Sequence, residues 1–136
     1  TFKPRMDYSK SKKYALYSTV DYNHFGFQGN KWENNEITIS TKYLGSYTIL
    51  EDTINPTIRP VQVDRQKASF KIHDDLSGIK EFNASLNGDW ILMHYDPKRR
   101  FIWSETLEPN NPLTGAFKLT VEDNAGNINE FLVQIE

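Results

Sequence analysis

The groups able to do chemistry in this chain are 18 carboxylates, three histidines and an ample set of aromatic rings; there is no cysteine. Without thiols there is no disulfide framework, no thiolate zinc site and no cysteine nucleophile. His24, His73 and His94 lie far apart and fit no H-x-H or H-E-x-x-H spacing, so they form no sequence-readable metal set. A Gly-x-Ser-x-Gly elbow and a phosphate-cradling glycine loop are both missing. Ser77-Gly78 sits among acidic residues, a poor setting for activating a hydroxyl without a base. The residues read as non-catalytic.

Two constellations remain. The first is acidic: Glu51-Asp52, Asp74-Asp75, and Asp123-Asn124 with Asn127. Oxygen ligands brought together from a linker and two loops suit calcium, and Asp52, Asp74, Asp75, Asp123 and Asn124 are the candidate ligands. The bland account of the same residues is turn chemistry: Asp and Asn make Asx-turns, and Gly78 and Gly126 supply positive φ. The second constellation is aromatic. Tyr22, Phe25, Phe27 and Trp32 crowd one loop-bearing segment, with Trp90, Tyr95, Phe101 and Trp103 further on. Exposed rings stack on sugars, so the first set is a candidate glycan platform; the commoner fate of such rings is a core or a sheet interface.

The elements that must position these residues are strands. No apolar 3.6-residue pattern runs for three turns, whereas period-two alternation recurs. Ala68, Phe70 and Ile72 share a face, as do Phe117, Leu119 and Val121, and Phe131, Val133 and Ile135. Turn signals at Asn87-Gly88, Pro97 and Asn124-Ala125-Gly126-Asn127 divide the runs. Seven strands are expected, at about 57–63, 67–73, 79–86, 90–96, 100–105, 115–122 and 128–135, the pattern of an all-β, immunoglobulin-like antiparallel sandwich. If direction alternates, the turns after the second and sixth strands and the junction before the first lie at one end, which gathers the three acidic groups. Upstream, 14–20, 25–32, 36–41 and 46–50 are further strand candidates. The Glu51–Pro56 stretch reads as a junction because Pro56 restricts Asn55 to extended backbone. The expected division is 1–51, a β-rich segment and part of a truncated preceding domain, and 52–136, the sandwich.

The motifs also resemble a family. Asp75-Leu76-Ser77-Gly78-Ile79 and Asp123-Asn124-Ala125-Gly126-Asn127 resemble paired turn motifs of bacterial immunoglobulin-like repeats. The strings 44–49, 52–61 and 87–96, with Lys13-Tyr14-Ala15-Leu16 and Trp32-Glu33-Asn34-Asn35 upstream, are similar to the C-terminal region of lysostaphin-type zinc metallopeptidases of the Bacteroidetes. The resemblance covers about 14–136. It implies an extracytoplasmic accessory domain, in the periplasm or at the surface of a bacterium, following a peptidase domain that cuts peptidoglycan. It transfers no zinc ligand, because this chain has no H-x-H; zinc would belong only to the absent peptidase domain.

Charge and hydropathy bound the partners. The net charge of -2 argues against a dedicated nucleic-acid binder, and no apolar run approaches the roughly 20 residues of a membrane span. A basic start carries Lys3, Arg5, Lys10, Lys12 and Lys13 against Asp7; such a cluster is most often a solvated terminus. The expected partners are the preceding domain of the same chain and peptidoglycan or another glycan. The competing expectation is a free-standing glycan-binding or adhesive extracellular module.

Overall fold

The computed structural model describes residues 8–21, 24–40, 45–105 and 111–136. They form an all-β protein with one 3-10 turn at Tyr8–Lys13. The first layer is built from β1 (Tyr14–Asp21), β2 (His24–Gly29), β3 (Trp32–Glu33), β4 (Glu36–Ile37) and β5 (Tyr47–Glu51). β2, β1 and β5 make an antiparallel sheet in that order, and β3 pairs with β4 alone. Asn34 and Asn35, both at positive φ (51° and 62°), turn the β3–β4 ribbon, the backbone that Asn tolerates best among residues with a side chain. Period two along β1 sends Ala15 and Tyr17 inward, where both are fully buried. The expected strands 25–32 and 36–41 are shorter than their apolar content suggested. Gly29 ends β2 at an extreme φ of 154°, and β4 is a two-residue ribbon strand.

The sandwich follows, with β6 (Thr57–Val63), β7 (Ala68–His73), β8 (Ile79–Leu86), β9 (Asp89–Ile91), β10 (Met93–Asp96), β11 (Phe101–Ser104), β12 (Gly115–Asp123) and β13 (Ile128–Ile135). One sheet runs β10-β11-β7-β6 and the other β13-β12-β8-β9, with every pairing antiparallel. The seven expected strands are all present, with one correction. The run 90–96 is two strands, not one: it breaks at Leu92, β9 pairing with β8 and β10 with β11. A sandwich closes a corner by letting a strand change sheets. The change keeps Ile91 against the core and Met93 within it while Leu92 stays exposed.

The core lies between the two inner faces. Ala68, Phe70, Ile72 and Ile102 meet Phe117, Leu119, Val121 and Ala84, with Phe70 stacked on Phe117 at 5.7 Å and edge-on to Phe131 at 5.1 Å. Such rings supply the largest single shares of apolar burial and prefer these offset and edge geometries. β6 is an edge strand, and Pro60 within it sits beside a register shift, a feature that discourages a further strand from pairing there. The junction, the β7–β8 turn, the β10–β11 turn and the β12–β13 turn share one end of this sandwich. The backbone N–H of Asn124 donates to Gly78 O at 2.9 Å across that end.

Candidate functional site: a three-carboxylate junction

Asp52 directly follows β5. Its N–H donates to Lys13 O at 2.9 Å and its carbonyl accepts from Asn127 Nδ2 at 2.9 Å. Its carboxylate accepts from the backbone N–H of Ile54 (3.1 Å) and of Ser77 (3.0 Å). Asp74, leaving β7, accepts on Oδ2 from Gly78 N–H (2.8 Å) and the Ser77 hydroxyl (3.3 Å). Gly78 takes φ 83° there, which a residue without Cβ adopts freely. Asp123, closing β12, accepts on Oδ1 from the N–H groups of Ala125 (2.9 Å) and Asn127 (2.8 Å), and on Oδ2 from Asn127 Nδ2 (2.8 Å). The bonds from Ile54 to Asp52 and from Ala125 to Asp123 are Asx-turn bonds, so the sequence's turn chemistry is real, whereas the Ser77 N–H reaches Asp52 from another turn. The three carboxylates also do something more: one oxygen from each of Asp52, Asp74 and Asp123 lies within 4.8 Å of the others.

The electrostatics are unfavourable as they stand. Asp52 and Asp123 are buried, at 2% and 0% exposure, and Asp74 is half-buried. Among the described residues no Lys, Arg or His forms an ion pair with any of the three. Lys13, from the first layer, gives its ammonium to Asn127 Oδ1 instead. Burial, with the charges of Asp52 and Asp123 behind it, pushes the Asp74 carboxyl up to about 6, against the opposing hydrogen bonds from Gly78 and Ser77. Tyr17, wholly buried on β1, lies within electrostatic range of the same cluster. Burial, then the charges of Asp52, Asp74 and Asp123, raise its hydroxyl well above the usual tyrosine value. That hydroxyl has no hydrogen-bond partner. An arrangement of this kind can hold a hard cation or share a proton.

Of the five candidate ligands, the fold brings together Asp52, Asp74 and Asp123. Asp75 turns outward, with its carboxylate exposed and bonded to His73 Nε2 at 2.7 Å, because consecutive residues leaving a strand point to opposite sides. Asn124 stands beside the cluster: its Nδ2 donates to Ser77 O (2.8 Å) and Gly78 O (3.2 Å), tying the two turns together. Glu51 accepts from the Tyr14 hydroxyl at 3.3 Å on the surface. His94 faces Glu105 and stacks on Trp103.

Of the glycan-platform residues, Phe27 and Trp32 have structural tasks. Tyr22 lies outside the described residues, as do Lys3, Arg5 and Asp7 of the basic start. Phe25 is exposed, but Phe27 packs edge-on against Tyr17 at 5.8 Å and the Trp32 indole N–H donates to Tyr14 O at 2.9 Å. Asn127, grouped with the acidic turns from the sequence, joins Asp52, Asp123 and Lys13. Sequence reasoning missed two features. One is Tyr17. The other is a basic cleft of about 730 Å³ whose lining includes Arg59, Lys71, Lys98, Arg99 and Arg100. Arg59 and Lys71 stand directly opposite each other on β6 and β7, a like-charge pairing that costs stability. Arg100 takes φ 53°, and the Arg99 guanidinium lies 5.5 Å over Phe101. Lys98-Arg99-Arg100 is a run in the sequence, but only the cross-strand register, invisible before pairing is known, brings Arg59 and Lys71 beside it.

No family model, no curated protein and no solved structure matches this chain.

Proposed function

We propose that this chain is a non-catalytic accessory domain of an extracytoplasmic, cell-wall metallopeptidase-like bacterial protein, and that it holds the domain before it in a fixed orientation. The observation that carries the positioning role is the stapled junction. An exposed linker between independent domains makes few contacts; here Asp52 is bonded through its N–H, its carbonyl and both carboxylate oxygens. Asn30 Nδ2 adds a bond to Asn124 O (2.6 Å), and Asn129 Nδ2 one to Pro56 O (2.9 Å). These bonds draw on the first layer, the junction and two sandwich turns, so bending at 52–56 breaks several at once. The cell-wall setting rests on the sequence resemblance. It requires an H-x-H peptidase domain upstream in the natural polypeptide, which reading the gene upstream of Thr1 tests; a different catalytic domain there contradicts it. The positioning role is tested by limited proteolysis: cleavage within 52–56 should be slow in the native chain and at least tenfold faster in Asn127→Ala. Equal rates contradict the clamp.

A second reading is favoured by the basic cleft: recognition of an anionic glycan. Three arginines and two lysines converge there without a carboxylate partner among the described residues, and Arg forks bind carboxylate and phosphate groups bidentately. Binding of carboxylated oligosaccharides that falls at least tenfold in Arg59→Glu/Lys71→Glu supports this reading; binding unchanged by the pair removes it.

A further inference from the structure

We propose that Asp52, Asp74 and Asp123 form a calcium site that fastens the junction to the sandwich. Ligand oxygens held roughly 2.3–2.6 Å from one calcium ion lie no more than about 5 Å apart, and one oxygen from each carboxylate falls inside that limit, within 4.8 Å of the others. Two of the three side chains are buried and none has a cationic partner among the described residues. Buried charge without a counter-charge is costly, and native proteins pair it or place a metal there.

An independent observation comes from β1. The Tyr17 hydroxyl is buried, unpartnered and within electrostatic range of all three carboxylates. A buried hydroxyl is normally satisfied; this one lies within electrostatic range of three strong acceptors and bonds to none, so a further polar atom belongs beside it. A cation with a bound water supplies both missing partners, the positive charge for the carboxylates and a hydrogen-bonding oxygen for the phenol. The carboxylates are already oriented by backbone N–H donors, the outer-shell support that fixes metal ligands. Asp74 Oδ1 takes none of these bonds and is the oxygen freest to coordinate. The donor set is all hard oxygen, with no His or Cys in it, which selects calcium or magnesium over zinc or copper. Three carboxylates supplied by separate segments give the adaptable geometry calcium accepts and magnesium does not.

The site uses the junction read above as a clamp, but its test reads metal binding directly. Its failure therefore leaves the proteolysis result on the clamp standing, and the reverse also holds. The experiment takes the full chain after chelation and titrates calcium by calorimetry, with terbium luminescence excited through tyrosine as a second readout. Saturable binding of one calcium per chain is expected, with a thermal midpoint raised at millimolar calcium, little response to magnesium, and terbium emission that drops in Tyr17→Phe. Asp74→Asn should weaken binding at least tenfold while folding normally without metal, since it removes a repelling charge. Asp75→Asn should bind as the native chain does. Absence of binding at millimolar calcium, or equal affinity in Asp74→Asn, overturns the proposal.

Discussion

Asp74 is the carboxylate whose ionisation the fold resists. Its folded pKa of about 6 exceeds its ordinary 3.8, so the folded state binds the proton more tightly than the unfolded chain does. The metal-free chain should therefore gain stability as pH falls from 7 toward 4 and lose it as pH rises through 6, by about 1–2 kcal/mol in total once solvent screening of this half-buried group is allowed for. Urea unfolding with chelator present, at pH 5 and pH 7, should give the higher midpoint at pH 5, and Asp74→Asn should abolish the difference. Asn127 is the other decisive residue. Replacing it by Ala removes its bonds to Asp52 O and Asp123 Oδ2 and the acceptor for Lys13, leaving buried groups unpaired at a cost of about 2–4 kcal/mol. The same unfolding assay measures it. Part of this was legible in the residues: three acidic turns were expected at one end, and they are there. That Asp74 rather than Asp75 joins the cluster depends on how the chain leaves β7, and Tyr17 joins it from a layer whose docking no local pattern encodes.

At the scale of elements, alternation placed each strand of the sandwich to within a residue or two, because a period of two with one buried face admits few registers. What it could not give was the sheet change at Leu92. A run that stays apolar through Trp90–Tyr95 fits a continuous strand as well as a broken one, and only pairing partners decide between them. The β8–β9 hairpin shows how register is then pinned. Asn87 Oδ1 accepts from Ala116 N–H at 2.9 Å and its Nδ2 donates to Thr114 O at 3.0 Å, closing over Gly115. Gly115 has φ 117°, and a Cβ there would lie 2.1 Å from Asn87 Oδ1. Gly115→Ala should thus cost about 2 kcal/mol or more through strain and a displaced Asn87. Guanidinium unfolding checks this, with Gly88→Ala as the comparison: it too has a positive φ (87°), but open space around its Cβ. In the core, Phe70→Ala should cost about 3–5 kcal/mol, since Phe70 is fully buried and touches both Phe117 and Phe131.

Over the whole molecule, a net charge of -2 conceals a strongly uneven layout. Carboxylates converge at the junction end, while five cations collect in the cleft that borders β6, β7 and the β10–β11 turn. Composition recorded neither concentration, because both depend on which strand ends the sheets bring together. The first layer buries Tyr17 and Ala15, and Asn30, Lys13 and Asp52 bond across this end. A layer attached this way should not unfold ahead of the sandwich. Differential scanning calorimetry of the full chain tests that claim most directly. One cooperative transition, with calorimetric and van't Hoff enthalpies equal, is the predicted result. Two transitions, the lower one matching loss of the first layer, would contradict it.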